Sequence, residues 1–145
     1  MRGDGPIVVG VDGSAGSRAA LRVAAEEARI HGRKLRAVMV HSFLEEYYPG
    51  GVPAFDPSHV EDARAALADV VREELGEKPV VEVERVVTCD LPARGLISEA
   101  TDASLIVVGA RGLGGFRSLL MGSVSQQVVH HAPCPVLIVR QSMAA

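Results

Sequence analysis

Short apolar runs alternate with longer stretches of mixed apolar and polar residues along the whole chain. The runs predict β-strands, and apolar residues at helical spacing between them predict helices. The predicted strands cover residues 7–11, 35–40, 80–87, 105–108 and 136–139, and the predicted helices cover residues 17–31, 58–75, 92–101 and 123–131. This alternation predicts an α/β fold, a single-domain doubly wound five-stranded parallel sheet with helices on both faces. The run at 80–87 carries interleaved charges, which predicts a strand at the margin of the sheet.

Capping residues mark the starts of the predicted helices. Ser58 and Ser123 are each followed three residues later by a glutamate or glutamine, Glu61 and Gln126, and so match the capping box. Asp90 is the predicted cap of the third helix.

A glycine-spaced loop follows the fourth predicted strand. Gly109 and Gly112 are followed, after nine residues, by Gly122 and Ser123 at the start of the fourth predicted helix. Glycines allow the backbone to approach an anion closely, and the first N–H groups of a helix point towards it. The strand, loop and helix together therefore predict a phosphate-binding site.

A carboxylate, Asp12, follows the first predicted strand. That strand is central in a doubly wound sheet, so its loop is expected beside the loop that starts at Gly109. Two binding roles stay open for Asp12: accepting hydrogen bonds from ribose hydroxyls, or holding a magnesium ion on phosphates. The structural alternative is a cap on the first helix, which Ser14 also offers. The meeting of the two loops favours binding.

Several enzyme classes lack the residues that they need. Arg111 and Arg117 are the cations of the glycine loop, and either is a candidate to reach a phosphate, but the P-loop lysine is absent, so rapid phosphoryl transfer is not indicated. No G-x-S-x-G elbow surrounds Ser123, which leaves a hydrolase triad without support. A response-regulator receiver would need paired acids at Asp12 and a lysine where Arg140 stands.

The connection at residues 42–57 is longer than usual for such units. It and the glycine loop contain all five aromatic residues of the chain, namely Phe43, Tyr47, Tyr48, Phe55 and Phe116. These side chains either anchor a long loop or form a lid or partner surface near the site. Both interpretations stay open.

Composition excludes further classes of protein. The chain has 145 residues, a net charge of -3 and no basic face, so nucleic acid is not an expected partner. Its apolar runs are too short to span a bilayer, and its first residues lack the pattern of a signal peptide. The two cysteines, Cys89 and Cys134, predict a reduced, cytoplasmic protein, and a role as a small apolar residue is favoured for Cys89 over that of a redox thiol.

Three motifs together resemble the universal stress proteins. They are the glycine pattern from Gly109 to Ser123, the opening residues 7–14, and the closing residues 134–139. The resemblance extends over one domain, residues 1–145, and implies the strand order 3-2-1-4-5, as in proteins of the adenine nucleotide α-hydrolase type. It also implies membership of the branch that binds ATP.

The resemblance implies a role for each site residue. Asp12 would meet the ribose or the metal-linked phosphates, and the backbone of Val40 would meet the adenine. Gly109, Arg111 and Gly112 would line the phosphates, and the start of the fourth helix would donate hydrogen bonds to them. The implied cofactor-binding residues are Gly10, Asp12, Val40, Gly109, Arg111, Gly112, Gly122, Ser123 and Val124, with Asp12 as a candidate magnesium ligand.

The implied function is that of an ATP- and magnesium-binding sensor or regulator of the stress response, with slow or no hydrolysis. The alternative is a slow nucleotide hydrolase or transferase. In the implied strand order, residues 136–139 form an edge strand that no charge or proline guards. We therefore expect a homodimer through this strand, and neither nucleic acid nor membrane as a partner.

Overall fold

Five parallel strands form one sheet in the order β3-β2-β1-β4-β5. The computed structural model describes residues 1–42, 57–110 and 122–141. Within these ranges the elements are β1 (Ile7–Gly10), α1 (Ala15–His31), β2 (Leu35–Ser42), α2 (Pro57–Leu75), β3 (Val83–Asp90), α3 (Pro92–Ser98), β4 (Leu105–Gly109), α4 (Ser123–His131) and β5 (Val136–Val139). The predicted fold class and strand order are confirmed.

Helices cover both faces of the sheet. Successive residues of β1 point to opposite faces, so Ile7 and Val9 pack with α1 and α2, while Val8 packs with α3 and α4. The face of α1 that meets the sheet is rich in alanine, and Ala20, Ala24 and Ala28 are fully buried there. Small side chains allow α1 to lie close to the strands, and this closeness shapes the site described below.

The boundaries of β3 and α3 differ from those predicted at residues 80–87 and 92–101. The edge strand β3 pairs with β2 from Val83 opposite Leu35 to Asp90 opposite Ser42. Val80 lies before this ladder and is 79% exposed. Pairing with β2 therefore sets the limits of the strand, and its position at the margin of the sheet is confirmed. The helix α3 ends at Ser98, three residues before the predicted end.

The three predicted cap residues are not N-caps, because Asp90 lies one residue before the N-cap of α3, and Ser58 and Ser123 lie inside their helices. Pro92 occupies the first position of α3, which makes Leu91 the N-cap, and the Asp90 carboxylate accepts hydrogen bonds from the Leu91 N–H and Arg94 Nε, both at 2.7 Å. Proline is favoured at the first helical position because its φ suits the helix and it has no N–H to satisfy. Pro57 likewise begins α2 one residue before Ser58. In α4 the N-cap is Gly122, so Ser123 is the first helical residue.

An ion-pair cluster joins β2, β3 and the loop before β4. Arg36 donates to Glu84 (2.9 Å), to Asp102 (2.8 Å) and to the Glu99 carbonyl (2.8 Å), and its side chain is only 16% exposed. The hydrogen bond from Arg36 is the main cause that lowers the pKa of Asp102, against a smaller opposing effect of burial. Asp102 therefore stays ionised over a wider pH range in the folded chain than in the unfolded one.

We expect the Asp102→Asn substitution to lower the free energy of unfolding by about 1 kcal/mol at pH 7, because the charge-assisted bond to Arg36 is lost while the carboxylate is partly solvated. A carboxyl group whose pKa is lowered on folding stabilises the fold above its unfolded pKa of about 3.9, and this contribution disappears as the pH falls through the folded pKa. Urea unfolding should therefore show a gap between wild type and variant at pH 7 that narrows as the pH falls below the unfolded pKa.

Asp69→Asn is the matched control, because Asp69 pairs with Arg72 on the exposed face of α2. This substitution should change the free energy of unfolding by less than about 0.5 kcal/mol. A gap for Asp102→Asn that persists at low pH would contradict the prediction.

None of the helices within the described ranges is long and apolar enough to cross a bilayer.

Candidate functional site

The carboxyl ends of β1, β2 and β4 meet at one edge of the sheet. The chain leaves β1 through α1 towards β2 on one side, whereas β4 continues through α4 towards β5 on the other. The order of the strands therefore reverses between β1 and β4, which is where open α/β sheets form a crevice for ligands. Asp12, Gly109 and Gly122 all lie at this edge, as predicted.

Asp12 organises the loop between β1 and α1. Its carboxylate accepts hydrogen bonds from the N–H (2.9 Å) and the hydroxyl of Ser14, and the hydroxyl oxygen of Ser14 accepts from the Ser17 N–H (3.2 Å) to cap α1. Between them Gly13 has a φ of +83°, a left-handed conformation that favours glycine. Ser14 is therefore the cap, and Asp12 orients it while remaining exposed at the mouth of the crevice.

The loops after β1 and β4 are in contact through Gly109. A Cβ added at Gly109 would lie 2.8 Å from both the carbonyl carbon and the oxygen of Gly16, and 3.3 Å from the Ser17 nitrogen. The end of β4 thus touches the first turn of α1 at Gly16, four residues after Asp12. This contact brings the two predicted loops together, and it also gives Gly109 a packing role that the sequence did not reveal.

The start of α4 is tied to the same point. The Gly122 N–H donates to the Ala110 carbonyl (2.6 Å), and the Ser125 hydroxyl donates to the Gly109 carbonyl (2.6 Å). Ala110 and Gly122, the residues on either side of the segment 111–121, are therefore in direct contact. Arg111, Gly112, Arg117 and Phe116 fall in this segment and lie outside the described residues, as do the four aromatic residues between β2 and α2.

Gly122 was expected among the residues that bind the phosphates, and two of its features bear on that role. Its φ is −73°, so no left-handed backbone explains the glycine, and its N–H already has an acceptor within the protein. The N–H groups of Ser123 and Val124 lie in the first turn of α4, where no acceptor exists within the helix. Both residues are exposed, and they are the donors that this helix presents to the crevice.

The backbone of Val40 faces the crevice. The Val38 carbonyl accepts from the Val11 N–H (2.8 Å), and β1 ends at Gly10, opposite Val38. Alternate residues of a strand direct their N–H and C=O groups to the same side, so those of Val40 point towards β1 beyond its end. One donor and one acceptor are thus directed into the crevice.

Two glycines at this edge have packing partners. A Cβ at Gly95 in α3 would lie 2.9 Å from Val40 Cγ1, and a Cβ at Gly10 would lie 3.1 Å from Leu96 Cδ2. The predicted site residue Gly10 therefore makes room for α3. Gly95 was missed by sequence reasoning, because its partner lies on a strand far away in the chain.

Two buried serines were also missed. Ser17 is 5% exposed, and its hydroxyl oxygen accepts from the Asp12 N–H (3.2 Å). Ser125 is 4% exposed and holds the Gly109 carbonyl. A serine on the buried stripe of a helix was the available signal, because a buried hydroxyl needs a hydrogen-bond partner.

No group of three or more metal-binding side chains occurs in the part of the chain that the structure describes.

Comparison with known proteins gives consistent relatives. The model of the universal stress protein family matches residues 5–140. A universal stress protein of Mycobacterium tuberculosis (strain ATCC 25618 / H37Rv) is 42% identical over 138 residues, which are 94% of this chain and 46% of that protein. The chain thus spans about half the length of the curated relatives that it matches.

Two similar solved structures contain adenine nucleotides. A crystal structure of a universal stress protein in complex with cAMP has a TM-score of 0.72 and 25% identity, and the match covers 95% of this chain and 98% of that one. The universal stress protein from Archaeoglobus fulgidus in complex with dAMP has a TM-score of 0.66 and 30% identity, and the match covers 92% and 96% of the two chains.

Proposed function

This chain belongs to the universal stress protein family, and from that premise we propose that it binds an adenine nucleotide, ATP with magnesium, in the crevice between β1 and β4. The observation that carries the proposal is the contact between Gly109 and the first turn of α1, together with the attachment of α4 to the same point. The solved relatives in complex with cAMP and dAMP support the choice of adenine.

Each part of the crevice suits one part of the nucleotide. The backbone of Val40 offers a donor and an acceptor to the edge of adenine. The exposed carboxylate of Asp12 suits the ribose hydroxyls or a magnesium ion on the phosphates. The N–H groups of Ser123 and Val124, at the positive end of the α4 dipole, suit the phosphates.

The proposed role is a nucleotide-dependent sensor or regulator in the stress response. A sensor requires the nucleotide to stay bound without being hydrolysed. The contacts proposed above would stabilise the bound nucleotide in its ground state. The alternative is a slow hydrolase or transferase acting on the same nucleotide, and measurement of product formation separates the two.

Identification of the nucleotide that co-purifies with the protein tests the proposal most directly. We expect denaturation of the protein to release a nucleotide that mass spectrometry identifies as ATP. Titration calorimetry should show tighter binding of ATP with magnesium than of AMP or cAMP. Absence of heat with every adenine nucleotide at millimolar concentration would overturn the proposal.

We expect ATP hydrolysis to be far slower than about 1 s⁻¹, the low end of typical enzyme turnover. Catalysis requires contacts that strengthen in the transition state and a group that orients the attacking water. The P-loop lysine is absent from the sequence, and Asp12 already accepts two hydrogen bonds from Ser14. Phosphate release under steady-state conditions measures the rate. A rate at or above that value, abolished by Asp12→Ala, would identify an enzyme.

We also propose that the protein is a homodimer through β5, and we expect light scattering to show a dimer at micromolar concentration. The carbonyls of Pro135 and Val139 accept from β4, at Ile106 and Ala110 respectively. By alternation, the N–H and C=O groups of Val136 and Ile138 point to the open edge, where a second copy of β5 would satisfy them.

Ile138→Pro removes one open-edge N–H without removing a hydrogen bond to β4, and should give a monomer. Ile138→Ala is the matched control, because it shortens the same side chain but keeps the N–H, and it should remain a dimer. A monomeric wild-type protein would refute the proposed interface.

A further inference from the structure

Arg18 links the loop after β1 to the far end of α2. Its Nε donates to the Gly13 carbonyl (3.2 Å), and its Nη1 donates to the carboxylates of Glu73 (2.7 Å) and Glu74 (3.2 Å). The partners are 55 and 56 residues away in sequence. One guanidinium therefore joins a loop of the candidate site to a helix on one face of the sheet.

Helix dipoles do not account for these charges. Arg18 lies in the first turn of α1, where a cation is unfavourable, and Glu73 and Glu74 lie in the last turn of α2, where anions are unfavourable. Pairing across the two helices compensates for both. Burial alone would raise the pKa of Glu74, but the hydrogen bonds from Arg22 and Arg18 outweigh it and lower that pKa, so the carboxylate stays ionised.

Packing contributes little to the position of Gly13. Gly13 is exposed and left-handed, and a Cβ added there would meet no atom within 4 Å. Within the described residues, the Ser14 N–H and hydroxyl donate to the Asp12 carboxylate, the Asp12 N–H donates to the Ser17 hydroxyl, and Arg18 Nε donates to the Gly13 carbonyl. A loop held by surface hydrogen bonds pays an ordering cost on binding when one of them is removed.

We propose that Arg18 is a positioning residue, which holds the Gly13 carbonyl and thereby makes nucleotide affinity depend on the carboxyl end of α2. The inference rests on the proposed function. Arg18 is not proposed to contact the nucleotide. Its effect on affinity is exerted through the conformation of residues 12–14.

Arg22 provides a matched control within the same cluster. It also donates to Glu74, and its side chain is 54% exposed. No hydrogen bond in the described ranges connects it to the loop after β1. Arg22→Met therefore removes a cation and one ion pair from the same interface, whereas Arg18→Met removes a cation, two ion pairs and the bond to Gly13.

Calorimetric titration with ATP and magnesium should show affinity about fivefold to tenfold weaker for Arg18→Met, and unchanged within about twofold for Arg22→Met. Arg18→Lys keeps the charge but replaces the fork of donors by one ammonium group, so it should bind about as weakly as Arg18→Met. Glu73→Gln, which weakens the anchor on α2, should weaken binding by about threefold.

Amide exchange in the nucleotide-free protein provides an independent readout. The Ser14 N–H, which donates to Asp12, should exchange faster in Arg18→Met and at the wild-type rate in Arg22→Met. Equal effects of the two substitutions on affinity, recovery of affinity in Arg18→Lys, or unchanged exchange in Arg18→Met would each overturn the positioning role. If the wild-type protein binds no adenine nucleotide, the proposed function fails and the link to affinity fails with it. The exchange comparison then still decides whether Arg18 holds the loop.

Discussion

The Gly122→Val variant is expected to bind ATP about 30-fold more weakly than the wild type while keeping the fold, a loss of about 2 kcal/mol. Gly122 is the N-cap of α4, with a φ of −73° that valine can adopt, and its N–H bond to the Ala110 carbonyl does not depend on the side chain. A branched side chain at this position would, however, stand between the phosphates and the N–H groups of Ser123 and Val124. The substitution therefore acts on the ligand more than on the backbone.

Gly122→Ala completes this test as an intermediate in side-chain size. Affinity measured by calorimetry should fall in the order glycine, alanine, valine, whereas the free energy of unfolding should fall by about 1 kcal/mol at most, the usual cost of a poor N-cap residue. Undiminished ATP binding in Gly122→Val would show that the nucleotide lies elsewhere.

Periodicity alone predicted all nine elements, because each strand and helix buries one or two whole faces. Ile7 and Val8 pack on opposite sides of the sheet, and the stripe of α1 at Ala20, Ala24 and Ala28 has helical spacing. Alternation of strands and helices does not specify the strand order, which the family resemblance supplied and the structure confirmed.

The element ends could not be predicted as well, because they depend on partners distant in sequence. The limits of β3 follow from its pairing with β2, and local composition placed the strand three residues too early. Two of the three predicted caps failed for a local reason, since prolines occupy the first helical position of α2 and α3.

The position of the candidate site could be predicted from the sequence, but the contacts that hold its loops in place could not. Spacing and topology placed Asp12 and Gly109 at one edge of the sheet, and the structure brings their loops together. The ion pair between Arg18 and Glu73 could not be predicted from the sequence, because arginines and glutamates are common on the exposed faces of helices. The close approach of Gly109 to Gly16 likewise depends on how α1 crosses the sheet.

Gly109 carries the largest expected effect on stability. We expect Gly109→Ala to lower the free energy of unfolding by about 2–3 kcal/mol, because the new Cβ would lie 2.8 Å from the backbone of Gly16. Backbone atoms of Gly16 cannot relieve this clash by a change of rotamer, as the end of a side chain could. Relief requires α1 to move off the sheet, which would loosen the fully buried contacts of Ala20 and Ala24. The same movement would shift the loop at Asp12, so nucleotide affinity should fall as well.

Gly10→Ala is the control that isolates the cause, since Gly10 also lies at the carboxyl edge of the sheet, on the neighbouring strand. Its added Cβ would lie 3.1 Å from Leu96 Cδ2, the end of a side chain that can adjust by a few tenths of an ångström. We therefore expect Gly10→Ala to cost less than about 1 kcal/mol. Urea unfolding of both variants measures the difference. Equal losses would show that contact between backbones at Gly109 does not hold α1 in place, and would remove the packing reason for a glycine at the end of β4.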